Sequence, residues 1–262
     1  MTDQHNEMNR EVWNEIVELH YHHPDYKLKE FLNGWNSLKQ IEKDALGDVK
    51  GKSLLHLMCQ FGMDTLSWAR LGAEVTGVDI SDKSIEFAEK LKQQADISDA
   101  SFVRSDVYDL KGKINQQFDI IFQSHGTHCW IGDLDKWAAV IAHYLKPGGM
   151  FFMVDGHPVA DLFLWGDQFD YFHKGPYKEA NWPDYCDREY IVKGESVEWM
   201  HKLSDFVNVM HATGLKVEAL NEYNKSYYDV KGNWVREGDY WHPPEGPTRY
   251  PLMFSMKAVK PL

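Results

Sequence analysis

Cysteine is scarce in this 262-residue sequence: Cys59, Cys129 and Cys186 are odd in number and far apart. That usage fits reduced thiols rather than a disulfide framework, and no Cys-x-x-Cys pair offers metal ligands. Long apolar runs are also missing, and the polar start MTDQHNEMNREVW has no apolar core of secretion-signal length. The expectation is a cytoplasmic protein with no membrane partner. Positive charge is in deficit, 28 Lys and Arg against 40 Asp and Glu, for a formal net charge of −12. Nucleic-acid binders displace counterions with clustered Lys and Arg, which here are scattered, so no nucleic-acid partner is expected.

What is present is most concentrated in residues 51–82, GKSLLHLMCQFGMDTLSWARLGAEVTGVDISD. Leu54, Leu55 and Leu57 form a short apolar run before a turn at Met58 to Gly62, and Thr65, Leu66, Trp68, Ala69 and Leu71 then fit a helix facing a sheet, closed by Gly72. Glu74 to Val78 reads as a second strand, which leaves Asp79 at its carboxyl edge, where open α/β sheets bind ligands. A carboxylate there can accept both hydroxyls of a ribose, while backbone N–H groups of the turn face the rest of the ligand. Two adenosine ligands compete, a dinucleotide and S-adenosylmethionine. The dinucleotide turn needs glycines so that bare backbone can approach a pyrophosphate, and Met58-Cys59-Gln60-Phe61-Gly62 has bulky side chains instead. A nicotinamide-dependent dehydrogenase is therefore disfavoured.

The stretch LLHLMCQFGMDTLSWARLGAEVTGVDIS resembles the first motif of class I S-adenosylmethionine-dependent methyltransferases, in particular a small-molecule subgroup with an LHL-x-C-x-x-G turn. The likeness continues through 101–110, 118–158, 204–220 and 249–260, nearly the whole chain. It implies S-adenosyl-L-methionine as cofactor and a cofactor site at His56, Met58, Gly62, Asp79, Ile80, Ser81, Asp106, Val107 and Ser124. In that pattern Gly62 lets the turn pass close to the methionine part, Asp79 takes the ribose hydroxyls, Ile80 packs on adenine, Asp106 with Val107 holds its edge, and Ser124 with His125 lies near the methyl group. Two departures stand out. Most class I enzymes have an acidic residue where this chain has His56, and glycines at Met58 and Gln60. His56 either holds the cofactor or is a packed strand-end histidine.

Alternation of helix and strand continues with a helix at 84–94, strands at 100–103 and 118–123, a helix at 134–145 and a strand at 150–154 after Pro147-Gly148-Gly149. The fold class is α/β, a three-layer αβα sandwich around a Rossmann-like seven-stranded sheet. The resemblance makes the last strand antiparallel. Residues 9–46 carry helical patterns broken at Pro24 and, by the resemblance, fold over the cofactor, giving a lid at 1–46 and a methyltransferase domain at 47–262. The histidines of HYHHPDY have no ligand partner at a helical or finger spacing, so no metal is expected. Residues from about 156 to 200 form a long aromatic connection, too rich in Trp, Tyr and Phe for disorder. It reads as a cap over a substrate pocket, with a homodimer interface or packed insertion as the other options.

Strand-end placement makes His125 and His157 the candidate general bases. Tyr21, Tyr26, His128, Trp130, Trp165 and Trp182 are candidate substrate contacts, the tryptophans able to bind a cation over their rings or simply to pack. The reading is a methyltransferase that passes a methyl group in line to a small molecule. The alternative is a noncatalytic S-adenosylmethionine sensor or scaffold that kept the fold while its turn diverged.

Overall fold

The computed structural model describes residues 2–166 and 169–262, so residues 167 and 168 of the expected cap lie outside the described residues. Seven strands build the central sheet: β1 (Ser53–Leu57), β2 (Glu74–Asp79), β3 (Ala100–Arg104), β4 (Phe118–Ser124), β5 (Leu145–Gly156), β6 (Lys216–Tyr223) and β7 (Met253–Val259). Their spatial order is β6-β7-β5-β4-β1-β2-β3. β1 to β5 are parallel where they pair, while β7 runs antiparallel to both β5 and β6. The last strand is thus the reversed one, as the resemblance implied.

Period-two alternation sends Leu55 and Leu57 of β1 to one face of the sheet and Leu54 to the other. Both faces are buried, which is why β1 and β4 read as nearly continuous apolar runs. One face packs against α6 (Leu134–Tyr144) and α8 (Leu203–Ala212) through Trp137, Ile141, Phe206 and Met210. The opposite face carries α4 (Met63–Arg70) and α5 (Asp82–Gln94) through Leu66, Trp68 and Leu91.

The amino-terminal region is helical in pieces: α1 (Thr2–His22), then α2 (Leu28–Leu32) and α3 (Gln40–Leu46). Pro24 ends the first helix as expected, but the second helical pattern is split, because Gly34 takes φ +99 and the chain runs irregularly to Lys39. α1 lies against α5 and against a strand of the connection at Ser196–Trp199. Polar side chains fix that contact. Asn9 donates to the Val197 carbonyl at 2.8 Å and accepts the Val197 N–H at 2.8 Å. Glu15 accepts from the Lys193 and Gly194 N–H groups and the Tyr190 hydroxyl. The connection itself holds α7 (Pro158–Trp165) and two short antiparallel pairs, Pro176–Glu179 with Ser196–Trp199 and Trp182–Pro183 with Ile191–Val192.

Gly62, at the entry to α4, has φ +76, and a Cβ there would stand 2.5 Å from the Phe102 ring and 3.1 Å from the Ala88 methyl. Its bareness serves the packing of α4 against β3 and α5. Gly62→Ala is expected to lower unfolding stability by about 2 kcal/mol, from the left-handed backbone plus overpacking. Urea denaturation measures this, and trimming the ring with Phe102→Leu in the same chain should recover part of the loss.

Candidate functional site

A cavity of about 940 Å³ opens at the carboxyl ends of β1, β2 and β4. Its floor is made by His56, Met58, Asp79, Ile80, Asp106, Val107, Ser124 and His125, all expected from the sequence. Its roof includes Tyr26, Trp130 and Trp182, also expected, together with α1 residues and Tyr227 and Tyr228 from the loop between β6 and β7.

Met58 and Gln60 take φ +56 and +51 although neither is glycine. The turn therefore keeps the left-handed steps that glycines would give it, at a cost of about 1–2 kcal/mol for each residue. Several bonds hold it there. The Cys59 N–H donates to the Val78 carbonyl and the Gly62 N–H to the Cys59 carbonyl, both at 2.9 Å. One Asp79 oxygen accepts the Gln60 N–H at 2.8 Å and the other accepts the Ser81 N–H at 2.9 Å. Burial pushes the Asp79 carboxyl up to about 6, against the opposing pull of the Ser81, Gln60 and Ile80 N–H groups. Each oxygen retains accepting capacity toward the cavity, as a ribose diol requires.

His56 is buried, and its Nδ1 lies 2.8 Å from the Thr65 hydroxyl of α4. Burial pushes its ring down to about 4, only partly offset by Asp64, so it is neutral at working pH. Of the two options for His56, these contacts favour the packed strand-end histidine. The carboxylate that β1 lacks is instead supplied by Asp64, in the first turn of α4, which accepts from the Ser37 and Ser124 hydroxyls and lines the cavity.

His125 has a partner that no local pattern reveals. Its Nε2 lies 2.7 Å from Glu42 of α3, a residue 83 positions earlier that also accepts the Lys39 N–H at 2.6 Å. Burial would raise the Glu42 carboxyl, but the His125 hydrogen bond and charge hold it below its usual value. The His125 ring stacks on Tyr227 at 4.4 Å, and its Nδ1 has no hydrogen-bond partner. With Nε2–H given to Glu42, Nδ1 carries the free lone pair. Asp155, at the end of β5, is consumed elsewhere: it accepts the N–H groups of Gly126, Thr127, His128 and Gly156 and the Thr127 hydroxyl. It builds the loop that presents His125.

Six expected site residues stand outside the cavity lining. Gly62 faces Phe102 and Ala88, as described. Ser81 caps α5, accepting the Ser84 N–H, and donates to Asn14. Tyr21 is buried between Phe61 and Phe87 and donates to Gln94. His128 uses Nε2 on the Gly156 carbonyl. Trp165 lies under the Lys231 ammonium at 3.6 Å, at the surface. His157 has neither nitrogen free: Nδ1 accepts the Val159 N–H as the cap of α7, and Nε2 meets Glu222 at 2.9 Å. It is therefore removed as a candidate base.

His20, expected to lack metal-type partners, has two that the chain supplies far downstream. Its ring, the Asp184 carboxylate and the Cys186 thiol bring ligand atoms within 4.8 Å of one another. Hydrogen bonds account for the arrangement as it stands: Nε2 meets Asp184 at 2.7 Å, and Nδ1 accepts from the Gln60 amide at 3.0 Å. Gln60 also donates to the Tyr26 hydroxyl, which bonds Tyr185, so the turn, the amino-terminal helices and the cap form one polar network.

The sheet order agrees with the comparisons. Residues 54–149 match the family described as a methyltransferase domain. That segment is similar to the methyltransferase domain, and the chain shares the fold of S-adenosylmethionine-dependent methyltransferases. Among curated proteins it is 29% identical over 123 residues to a fatty-acid O-methyltransferase of Mycolicibacterium smegmatis, covering 46% of this chain and 43% of the relative. It is 26% identical over 199 residues to a demethylmenaquinone methyltransferase of Leptospira interrogans, covering 63% of this chain and 78% of that one. A SAM-dependent methyltransferase structure from Methanosarcina mazei shares the fold at TM-score 0.61 and 18% identity, over 86% of this chain and 99% of the other. Among the described residues, no helix is long and apolar enough to cross a membrane.

Asp79 gives this site a pH signature. A raised carboxyl is neutral below its folded value and anionic above it, and only the anion offers full accepting capacity to a diol. Affinity for S-adenosylhomocysteine should be flat above about pH 7 and fall as pH drops through about 6, approaching tenfold per unit. His56, at about 4, titrates below that window. Calorimetry from pH 5 to 8 checks this, with Asp79→Asn expected to remove the inflection.

Proposed function

We propose that the protein transfers a methyl group from S-adenosylmethionine directly to a small molecule enclosed in this cavity. The observation that carries the proposal is the pairing of a left-handed turn at 58–62 with Asp79 across one cavity edge. The residues fit the cofactor: Asp79 has acceptors left for a ribose, Ile80 and Val107 offer apolar surface, Asp106 stands ready for an adenine edge, and Asp64 replaces the missing carboxylate for an amino-acid ammonium. When bound, S-adenosylmethionine supplies a methyl group already activated by its sulfonium.

The chain's own work is enclosure, alignment and proton removal. At about 940 Å³ the cavity sits near the top of the ~300–1,000 Å³ range of small-ligand sites, leaving room for an acceptor beside the cofactor. Walls from α1, the cap and the Tyr227–Tyr228 loop exclude water and fix the acceptor's approach, an effect worth on the order of 7–11 kcal/mol when alignment is complete. His125 Nδ1, oriented by Glu42, takes the acceptor's proton, contributing about 10²–10⁴-fold. The curated relatives named above carry small-molecule substrates in their names, a fatty acid and a demethylmenaquinone, which supports an acceptor of that size. The sensor alternative drew on the altered turn; the left-handed backbone kept at 58 and 60 supports cofactor binding in either reading, and His125 paired with Glu42 favours the enzyme. The amino-terminal helices are read as a lid and the 156–200 connection as a substrate cap, because Tyr26, Trp182 and Tyr185 roof the cavity.

Calorimetry with S-adenosylmethionine and S-adenosylhomocysteine tests the cofactor directly, and folded protein that binds neither would defeat the proposal. Asp79→Ala should weaken binding more than tenfold, since the diol loses its acceptor and the Gln60 and Ser81 N–H groups lose theirs. His125→Asn should lower kcat by about 10²–10⁴-fold while leaving S-adenosylhomocysteine affinity unchanged. Glu42→Gln should fall between His125→Asn and the unaltered protein, because it keeps a partner for the ring but not its charge. An unchanged kcat in His125→Asn would remove His125 as the base.

A further inference from the structure

Resting on the methyltransferase reading above, we propose that the acceptor is an organic cation, an amine or ammonium compound, held by the Glu198 carboxylate among the indoles of Trp13, Trp130 and Trp182. Glu198 lies on the strand Ser196–Trp199 and lines the cavity. The strand is fixed at the preceding residue, where Val197 is bonded in both directions by Asn9 of α1. Among the described residues the Glu198 side chain has no hydrogen-bond donor and no ion-pair partner. Burial and the nearby Glu179 and Asp161 carboxylates push it up to about 7, the mark of an acid short of a counter-charge.

The charge balance of the cavity agrees. Nine acidic side chains line it against four Lys and Arg. Three of those four are engaged away from Glu198: Lys27 sits over the Trp35 ring, Arg188 donates to the Asp229 and Val230 carbonyls, and Arg236 donates to the Gly238 carbonyl. The aromatic lining supplies the complementary attraction, with Trp13 and Trp130 meeting edge to face at 5.6 Å. A second observation comes from His125, which lines the cavity and whose Nδ1 is buried without a hydrogen-bond partner. A protonated amine must give up one N–H proton before its nitrogen lone pair can react, and His125 Nδ1 holds no other hydrogen-bond partner that would compete for that proton. A neutral acceptor would offer nothing to favour the charged form of Glu198, whereas a cation would.

The test uses the full chain saturated with S-adenosylhomocysteine, titrated with choline and with its uncharged isostere 3,3-dimethylbutan-1-ol, and read by tryptophan fluorescence and calorimetry. Choline should bind at least tenfold more tightly than the alcohol. Glu198→Gln should reduce choline affinity at least tenfold, with affinity for the alcohol and for S-adenosylhomocysteine, and the circular dichroism, unchanged. Equal affinity for the two compounds, absence of binding by both, or a choline preference that survives Glu198→Gln would overturn the inference while the cofactor reading stands. Failure of S-adenosylhomocysteine itself to bind would overturn both.

Discussion

The structure of the site depends on one carboxylate. Asp79 ends β2 and bonds the N–H of Gln60 on one side and of Ser81 on the other, which ties the turn after β1 to the start of α5. The clamp holds Met58 and Gln60 in a backbone conformation that L-residues avoid. Glycine would remove that strain, but it would also remove two side chains with work to do. Met58 packs against the core while lining the cavity. Gln60 reaches His20 and Tyr26, so the backbone that would cradle the cofactor is joined to the helices that roof it. The departures from the glycine pattern thus read as an exchange of a bare turn for one bonded to the amino-terminal helices.

The roof is held largely by polar contacts. Asn6 of α1 donates to Asp106, Asn9 pairs with the Val197 backbone, Asn14 accepts from Ser81, and Glu15 gathers N–H groups of the cap. Such bonds contribute about 0.5–1.5 kcal/mol each on balance, yet leaving a buried member unpaired costs more. A single broken bond in this arrangement leaves a buried group without a partner. The smaller apolar cluster of Val12, Ile16 and Val192 sets where α1 rests on the cap, and the amides and carboxylates set its register.

The sheet was legible in the sequence because each strand is bounded by its own turn chemistry and buried on both faces. The apolar run at 54–57, the β-branched run ending at Asp79 and the Pro147-Gly148-Gly149 turn needed no knowledge of distant residues. Floor residues such as Asp79, Asp106 and Ser124 were legible for the same reason, since a position at a strand end follows from the strand. The partners were not. Glu42 meets His125 across 83 positions and Asp184 meets His20 across 164, distances over which no local period carries information. His157 misled because a strand end followed by Pro158 is equally the signature of a helix cap, and the cap is what formed. Asp64 had a local signal: an acidic residue in the first helical turn, close after a strand end that lacks its usual acid.

Buried carboxylates in this chain divide by what surrounds them, and the division separates scaffold from function. Asp155 is buried, which alone would raise its carboxyl, but the charge of His128 and the N–H donors of the 126–128 loop hold it below its ordinary value. A carboxylate so saturated is a structural anchor with no capacity left for a ligand. Asp161 and Glu198 are enclosed without such donors, and burial with neighbouring like charge pushes them up to about 6 and about 7. Asp79 lies between the two kinds: N–H bonds pull it down and burial, the larger effect, leaves it at about 6. That intermediate state suits the proposed role of Asp79, shaping the turn while keeping acceptors for a ribose. Enclosure by itself therefore selects no function; by the number of donors already satisfied, Asp161 and Glu198 both have a charge left to match, and of the two Glu198 is the one that lines the cavity.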